Sequence, residues 1–569
     1  MKSITRRDFL KYSGTGLAGL AVAMHFPLLT PRRALASSGA WTFGVMSDTQ
    51  WKQDYPNNGE NPNSCAVSII NALNQQFIHH DCKFVIQVGD LADKESVNGV
   101  RSMPTRADAA AALYKAGIGF FPVRGNHEAS AIAASELPVL FPQTLGNGPN
   151  VYGATNFESP FDSLRGLSYS FDFENVRCVL IDQFVRPDGS NYDGTSSYNN
   201  NAVDQIAWVD SMLSSKSSDS HAFVFSHKNL IGQNHKDNLF GSGLTSNPGP
   251  RDEFLSSLCG NGVRYQLGGH DHMHHRSIVK TADGQSSVGQ IICSSNSYKF
   301  YIPRSGDDGR EMPLQQELFT VGYYIFTVDG PRVYVDYYSS SHGADYGDSD
   351  LLASPPITAS TFFLRETFGY SLNGKQFQVA RGESYTSVED NFEGTTAKIL
   401  GGTNGNTETD YLARSLAKTV NTGWSHSGGR CHADVASNIL SLWGMADNLS
   451  LYDEDLTGLL PSAAESKESD VYTLSMTFDH HKLLPLQLGK GLLGLAARDE
   501  KGDWINAVDK NFGGTKKFVH GPWKPGYELG TYGIDMKTHT AWAVINYDGD
   551  FAVAGFRHFD GKVRKSIFG

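Results

Sequence analysis

Five short blocks in the first half of the chain carry oxygen and nitrogen donors at close spacing: Asp48-Thr49-Gln50, Gly89-Asp90-Leu91-Ala92-Asp93, Gly125-Asn126-His127-Glu128, His227 and Gly269-His270-Asp271-His272. Carboxylate, carboxamide and imidazole groups are the ligand types of divalent metal ions. Two such ions held about 3.5–4 Å apart neutralise a phosphoryl group and make a water nucleophilic near neutral pH. His270 and His272 stand two residues apart after the apolar run that ends at Leu267, so both rings can face one centre. Asp48 and Gln50 have the same relation after the run ending at Met46, and Asn126 offers a neutral carbonyl oxygen suited to hard ions. Each block alone is weak, because Gly-Asp pairs and single histidines are common in turns. The ordered set carries the reading.

Each block follows a short run rich in β-formers: 42–46, 83–88, 118–123, 222–225 and 263–267, with a further run at 178–181. Helical spacing lies between them. Ser64 can cap a helix in which Val67, Ile70, Leu73 and Phe77 recur, and 203–213 repeats the pattern with Ile206, Val209 and Leu213. The alternation predicts a layered α/β domain from Trp41 to about Asp329, with the chemistry at the strand ends. The stretches 187–201 and 232–250, rich in Asn, Ser and Gly, read as surface loops that either wall the cleft or are ordinary excursions. Residues 169–173 alternate like an ordinary strand.

In order and context the blocks resemble the calcineurin-like metallophosphoesterases, over about 290 residues. The resemblance implies a four-layer α/β/β/α sandwich and an exported, metal-dependent phosphoric ester hydrolase acting on a monoester or a diester. It implies a dinuclear centre that activates water, bridged by Asp90: the first ion takes Asp48, Gln50, Asp90 and His272, the second Asp90, Asn126, His227 and His270. His127 would contact the substrate phosphate and protonate the leaving alkoxide, with Asp93 orienting it or a metal ligand from behind. Glu128 reads equally well as a cap or an acceptor behind the ligands. Most of the family has His where this chain has Gln50, a weaker ligand, so of the two divalent ions (Mn, Fe, Zn, Mg or Ca) the first should be more labile or a harder ion such as manganese, magnesium or calcium. The Gly-Asp-x-x-Asp block also lacks the terminal tyrosine that purple acid phosphatases use as an iron ligand. The rival from another class is a surface binding protein on a decayed phosphoesterase domain, for which Gln50 is the single argument.

The 569 residues, 40% hydrophobic and 19% charged, suit a soluble globular protein of two or more domains. A net charge of −12 provides no field for recruiting nucleic acid, so a phosphate-ester substrate must be held locally. Arg6-Arg7, a weakly hydrophobic stretch at 17–29 and Ala34-Leu35-Ala36 read as a twin-arginine signal peptide over residues 1–36. Gly19, His25 and Pro27 argue against a membrane anchor there. The expectation is a periplasmic or secreted protein that uses the twin-arginine export machinery. Six cysteines with no Cys-x-x-Cys pair form no zinc cage, and Cys178 and Cys293 lie in apolar runs as buried thiols.

The phosphoesterase domain is expected over 37–340 and a β-rich region over 355–569, with a linker between. The second region contains an echo: 388–395 (Val-Glu-Asp-Asn-Phe-Glu-Gly-Thr) recurs as 508–515 (Val-Asp-Lys-Asn-Phe-Gly-Gly-Thr), and Trp424 and Trp542 follow at similar places. This reads as a degenerate duplication. Residues 540–546 and 551–554, joined by Tyr547-Asp548-Gly549-Asp550, read as a hairpin. The region could recognise glycan or cell surface, or cover one edge of the first domain. Among remaining histidines, 79–80 close a helix, 274–275 read as exposed loop residues, and Asp479-His480-His481 read as structural because no partner block accompanies them. No Gly-x-Ser-x-Gly elbow is present.

Overall fold

The structure is a computed structural model that describes residues 39–50, 65–92, 96–97, 100–147, 151–192, 200–297, 300–304, 309–340, 362–405, 412, 414, 416–426, 435–445, 450–451, 470–482, 492–499 and 502–556. The expected signal peptide, Ser64, Asp93, Cys431 and most of the linker lie outside them. Among the described residues no helix is long and apolar enough to cross a membrane.

Two sheets face each other in the first domain. The first runs Phe363–Ser371, Arg332–Ser340, Val321–Asp329, Trp41–Met46, Cys82–Val88, Gly119–Val123, its last three strands parallel. The second has a parallel centre of Val176–Ile181, His221–Ser226, Tyr265–Gly268 and Ser287–Ile292, with antiparallel strands outside. The central strands are buried on both faces, which is why they read as continuous apolar runs. Between the sheets Phe43 stacks on Phe84 and Phe326 at 4.9 and 4.7 Å and meets Phe223 edge-on at 5.5 Å. Cys65–His79 and Ser102–Lys115 cover the first sheet through Leu73, Phe77 and Leu113; Ile206–Ser214 and Pro248–Gly260 cover the second through Val209, Leu213, Phe254 and Leu258. The result is the four-layer α/β/β/α metallophosphoesterase sandwich. Phe363–Ser371, beyond the expected linker, is the outer strand of the first sheet.

The C-terminal region is separate and β-rich: two six-stranded sheets enclose a core that includes Trp424, Leu442, Leu474, Leu495 and Phe551. The expected hairpin is corrected here. Thr540–Ile545 pairs with Tyr472–Thr477 and Thr531–Asp535 in one sheet, whereas Gly549–Gly555 pairs with Ile439–Trp443 and Leu493–Arg498 in the other. The turn therefore crosses between sheets, held by the Asp548 carboxylate, which accepts N–H groups of Gly444 and Met445 at 3.1 and 2.8 Å. The two echo segments take different forms: Val388–Phe392 is a strand, Ala507–Lys510 a 3-10 turn, and Trp424 and Trp542 sit in opposite sheets.

His274 and His275 are also corrected. Both are fully buried in the strand His274–Lys280, His274 bonded to the Tyr324 hydroxyl at 2.7 Å and His275 paired with Glu311 at 3.0 Å. Two successive polar residues mimic a loop in sequence, but each meets a partner, the two on opposite faces of the sheet. Cys178 and Cys293 are buried thiols.

Candidate metal centre

Every block sits where a strand has just ended. Asp48 follows Trp41–Met46, Asp90 follows Cys82–Val88, and Asn126 opens a 3-10 turn, Asn126–Glu128, after Gly119–Val123. His227 follows His221–Ser226, and His270 and His272 follow Tyr265–Gly268. The carboxyl ends of the parallel strands of both sheets thus meet at one point. The glycines of the blocks are required by this crowding. A Cβ on Gly125 would collide with the Asp90 carboxylate, one on Gly89 with the His227 ring, and one on Gly269 with Ser47 and Asp48. Asp48, Asp90, His270 and His272 all take left-handed backbone conformations, with φ of 46°, 46°, 70° and 54°. Such strain costs about 1–3 kcal/mol per residue and gathers where function demands it.

Oxygens of Asp48 and Asp90 and a ring nitrogen of His272 lie within 4.8 Å of one another, all buried. His272 Nε2 is 3.3 Å from Asp48 Oδ1 and 3.3 Å from Gln50 Nε2, and Gln50 Nε2 donates to Asp90 Oδ2 at 3.0 Å. On the other side, His227 Nε2 is 2.9 Å from Asn126 Oδ1 and 3.3 Å from Asp90 Oδ1. Asp90 therefore stands between the two groups. His127 donates its N–H to Asp90 Oδ1 at 3.1 Å, while its ring, 24% exposed, opens to solvent 3.8 Å from Asp90. Burial opposes ionisation of Asp90, but the His227, His127 and His270 rings and the His127 N–H hold its carboxyl well below the usual range.

Further residues complete the arrangement, among them some that the sequence did not single out. Asp237 approaches His270 Nε2 at 3.2 Å and the buried Lys228 ammonium at 2.7 Å. It comes from the stretch read as a surface loop. Its first part is largely interior: Gln233, Asp237, Leu239 and Phe240 are buried, and the His235 ring stacks on His270 at 4.1 Å. Asp271 holds the loop by accepting N–H groups of Gln233, Asn234 and His235 at 2.8, 3.1 and 2.8 Å. Glu128 accepts N–H groups of Ala92 and Gly125 at 2.8 and 3.0 Å, tying two blocks together, and burial with the nearby Asp90 charge pushes its carboxyl up to about 8. Ser295, after the strand Ser287–Ile292, meets His272 Nδ1 at 3.2 Å. A strand end carrying only serine has no metal signature, so sequence could not flag it. Asp93 lies outside the described residues.

The donors fit divalent cations. His227 Nδ1 faces the Val88 carbonyl at 3.0 Å; a carbonyl only accepts, so Nδ1 carries the hydrogen. The other ring nitrogen, Nε2, faces the oxygens of Asn126 and Asp90, and three donor atoms converging in this way is an arrangement a divalent cation satisfies. The buried Gln50 Oε1 has no hydrogen-bond partner, and an orphaned carbonyl oxygen beside Asp90 and His272 is a ready ligand. Residues 42–274 match the family model described as Calcineurin-like phosphoesterase. A comparison with curated proteins finds no match. Among solved structures the chain is similar to purple acid phosphatase PPD1 from yellow lupin (Lupinus luteus) seeds, at 14% identity and TM-score 0.37 over 59% of this chain and 54% of that one, about half its length. It is also similar to a dimetal phosphatase from Danio rerio, at 17% identity and TM-score 0.32 over 52% of this chain and 95% of that one. GAP50, the anchor in the inner membrane complex of Plasmodium, matches at 14% identity and TM-score 0.32 over 53% of this chain and 86% of that one. The family match over 42–274 gives the chain a metallophosphoesterase domain, and Asp48, Asp90 and His272 are its candidate metal site.

Proposed function

We propose that the protein is a phosphoric ester hydrolase with a dinuclear centre, exported through the twin-arginine route to the periplasm or beyond. The observation that carries the chemistry is the convergence of two sets of buried donors on Asp90, one through Gln50 and His272, the other through Asn126 and His227. Asp48, Gln50, Asp90 and His272 would hold one divalent ion; Asp90, Asn126, His227 and His270 the other. When bound, such ions neutralise phosphoryl charge and lower the pKa of water. The family match over 42–274 supports the reading.

The chain's own groups supply the rest. Asp90 presents an oxygen to each side, and its ionised state is secured by the surrounding rings. His127 is the solvent-facing imidazole beside the centre, placed to bind a phosphoryl oxygen and give its proton to the leaving alkoxide. Asp237 fixes the His270 ring, and Lys228 balances its charge; burial disfavours the Asp237 anion, but His270 and Lys228 keep it ionised. Arg6-Arg7 and Ala34-Leu35-Ala36 support export. The test is hydrolysis of an aryl phosphomonoester and an aryl phosphodiester by the mature protein with manganese, magnesium, calcium, zinc or iron. Metal-dependent turnover absent from Asp90→Ala is expected and assigns the ester class. No turnover with any ion would favour a binding protein on a decayed site.

A further inference from the structure

We propose a second metal site, in the C-terminal sandwich, formed by Asp479, His480, His481 and His539 and suited to a borderline ion such as Zn2+. None of these residues belongs to the five blocks. The strand Tyr472–Thr477 runs into a single 3-10 turn, His480–Lys482. The Asp479 N–H donates to the Ala436 carbonyl at 2.8 Å, and the Asp479 carboxylate accepts the His481 N–H at 3.0 Å, which folds the acid back over the turn. Oxygen of Asp479 and ring nitrogens of His480 and His481 then lie within 4.8 Å of one another.

The fourth group arrives from a different part of the sheet. The connection from Thr531–Asp535 to Thr540–Ile545 carries His539, with φ of 52°, and its carbonyl accepts the Phe478 N–H at 2.9 Å. That bond pins the connection beside the turn. The His539 ring stacks on His480 at 4.3 Å, and the His480 and His481 rings are 3.9 Å apart.

Three imidazoles and one carboxylate are a donor set that Zn2+, Cu2+ or Ni2+ accepts, and the absence of thiolate disfavours softer ions. Zn–N and Zn–O bonds of about 2.0–2.2 Å place the donors of a tetrahedral site about 3.3 Å apart, against the 4.8 Å within which the donor atoms of Asp479, His480 and His481 already lie, with the His539 ring beside them. Asp479 and His481 are exposed and His480 and His539 partly so, which leaves the site open to ions from solvent. Exported proteins meet such ions after leaving the cytoplasm, so this site would fill independently of the buried centre.

The measurement is Zn2+ stoichiometry by calorimetry and elemental analysis on the full mature chain, for the parent, His480→Ala/His481→Ala, His539→Ala and each in the Asp90→Ala background. The double variant is expected to bind one Zn2+ fewer than its parent in both backgrounds. His539→Ala is expected to weaken the same equivalent, and turnover of aryl phosphate esters should be unchanged. Co2+ in place of Zn2+ should give a visible absorption that the double variant lacks. Because the comparison is made with Asp90 present and absent, it stands even if the phosphoesterase reading fails. Equal Zn2+ content in the double variant and its parent, with both folded by circular dichroism, overturns the proposal.

Discussion

Glu128 joins two of the five blocks through one carboxylate, and its removal should show how much of the centre depends on that tie. Glu128→Ala leaves two buried N–H groups, of Ala92 and Gly125, without their acceptor. At about 1–3 kcal/mol for each orphaned donor, a loss of about 2–6 kcal/mol is expected in urea unfolding, with weaker metal binding in titration. His127 makes a different prediction. His127→Asn should lower kcat by about 10²–10⁴-fold with metal content unchanged, and the loss should grow as the leaving alkoxide becomes more basic. A loss independent of the leaving group would remove His127 from the role of acid. These two residues also mark what a sequence discloses at this scale. His127 was legible through the resemblance of its block to the family; Glu128 was legible only as one of two readings, a cap or an acceptor behind the ligands, because an acid that accepts from the backbone of a neighbouring strand's end looks like any turn residue. Asp237 was hidden for the same reason: its partners His270 and Lys228 are distant in sequence.

At the scale of elements, strand ends do the positioning and one loop completes it. The runs of alternating apolar and helical pattern disclosed the strands because parallel strands buried on both faces leave an unbroken hydrophobic signature. The loop carrying Gln233 and Asp237 left none, since its burial rests on hydrogen bonds to Asp271 and not on apolar side chains. That loop is tied to the C-terminal region. Arg414 donates to Gln233 Oε1 and to Glu311 Oε2, each at 2.9 Å. Burial would raise the Glu311 carboxyl, but the His275 ring and Arg414 hold it at about 2. Arg414→Ala should therefore raise KM for aryl phosphate esters several-fold and weaken the second metal position, with a smaller change in kcat. Unaltered KM and metal affinity would show that the C-terminal region only covers an edge. The failed hairpin belongs to this scale too: a tight turn between two apolar strands looks the same in sequence whether the strands pair or pass to opposite sheets.

Across the whole molecule, the two regions meet through buried polar groups. Arg332 reaches Ser441 at 3.0 Å and Asp550 at 3.6 Å, and Trp443 packs edge-on against Tyr334 at 5.1 Å. A buried histidine adds a pH response. His221 is enclosed between the Tyr370 hydroxyl at 3.0 Å and the Gly330 carbonyl at 2.8 Å, and burial pushes its pKa down to about 4 from 6.5, partly offset by the Gly330 carbonyl. Below 6.5 the unfolded chain binds this proton and the folded one does not, so stability falls as pH drops from about 6.5 to about 4 and this contribution then levels off. At about 1.4 kcal/mol per pKa unit the full loss is about 3 kcal/mol. His221→Gln should flatten that part of the dependence of Tm on pH; an unchanged slope would assign it to other groups.

The central claim is that Asp90 stands between two metal ions, and anomalous X-ray diffraction from crystals grown with Mn2+ tests it most directly. The account predicts two anomalous peaks about 3.5–4 Å apart, one among Asp48, Gln50 and His272, the other among Asn126, His227 and His270, with Asp90 contacting both. A single peak, or two peaks not shared by Asp90, would contradict it.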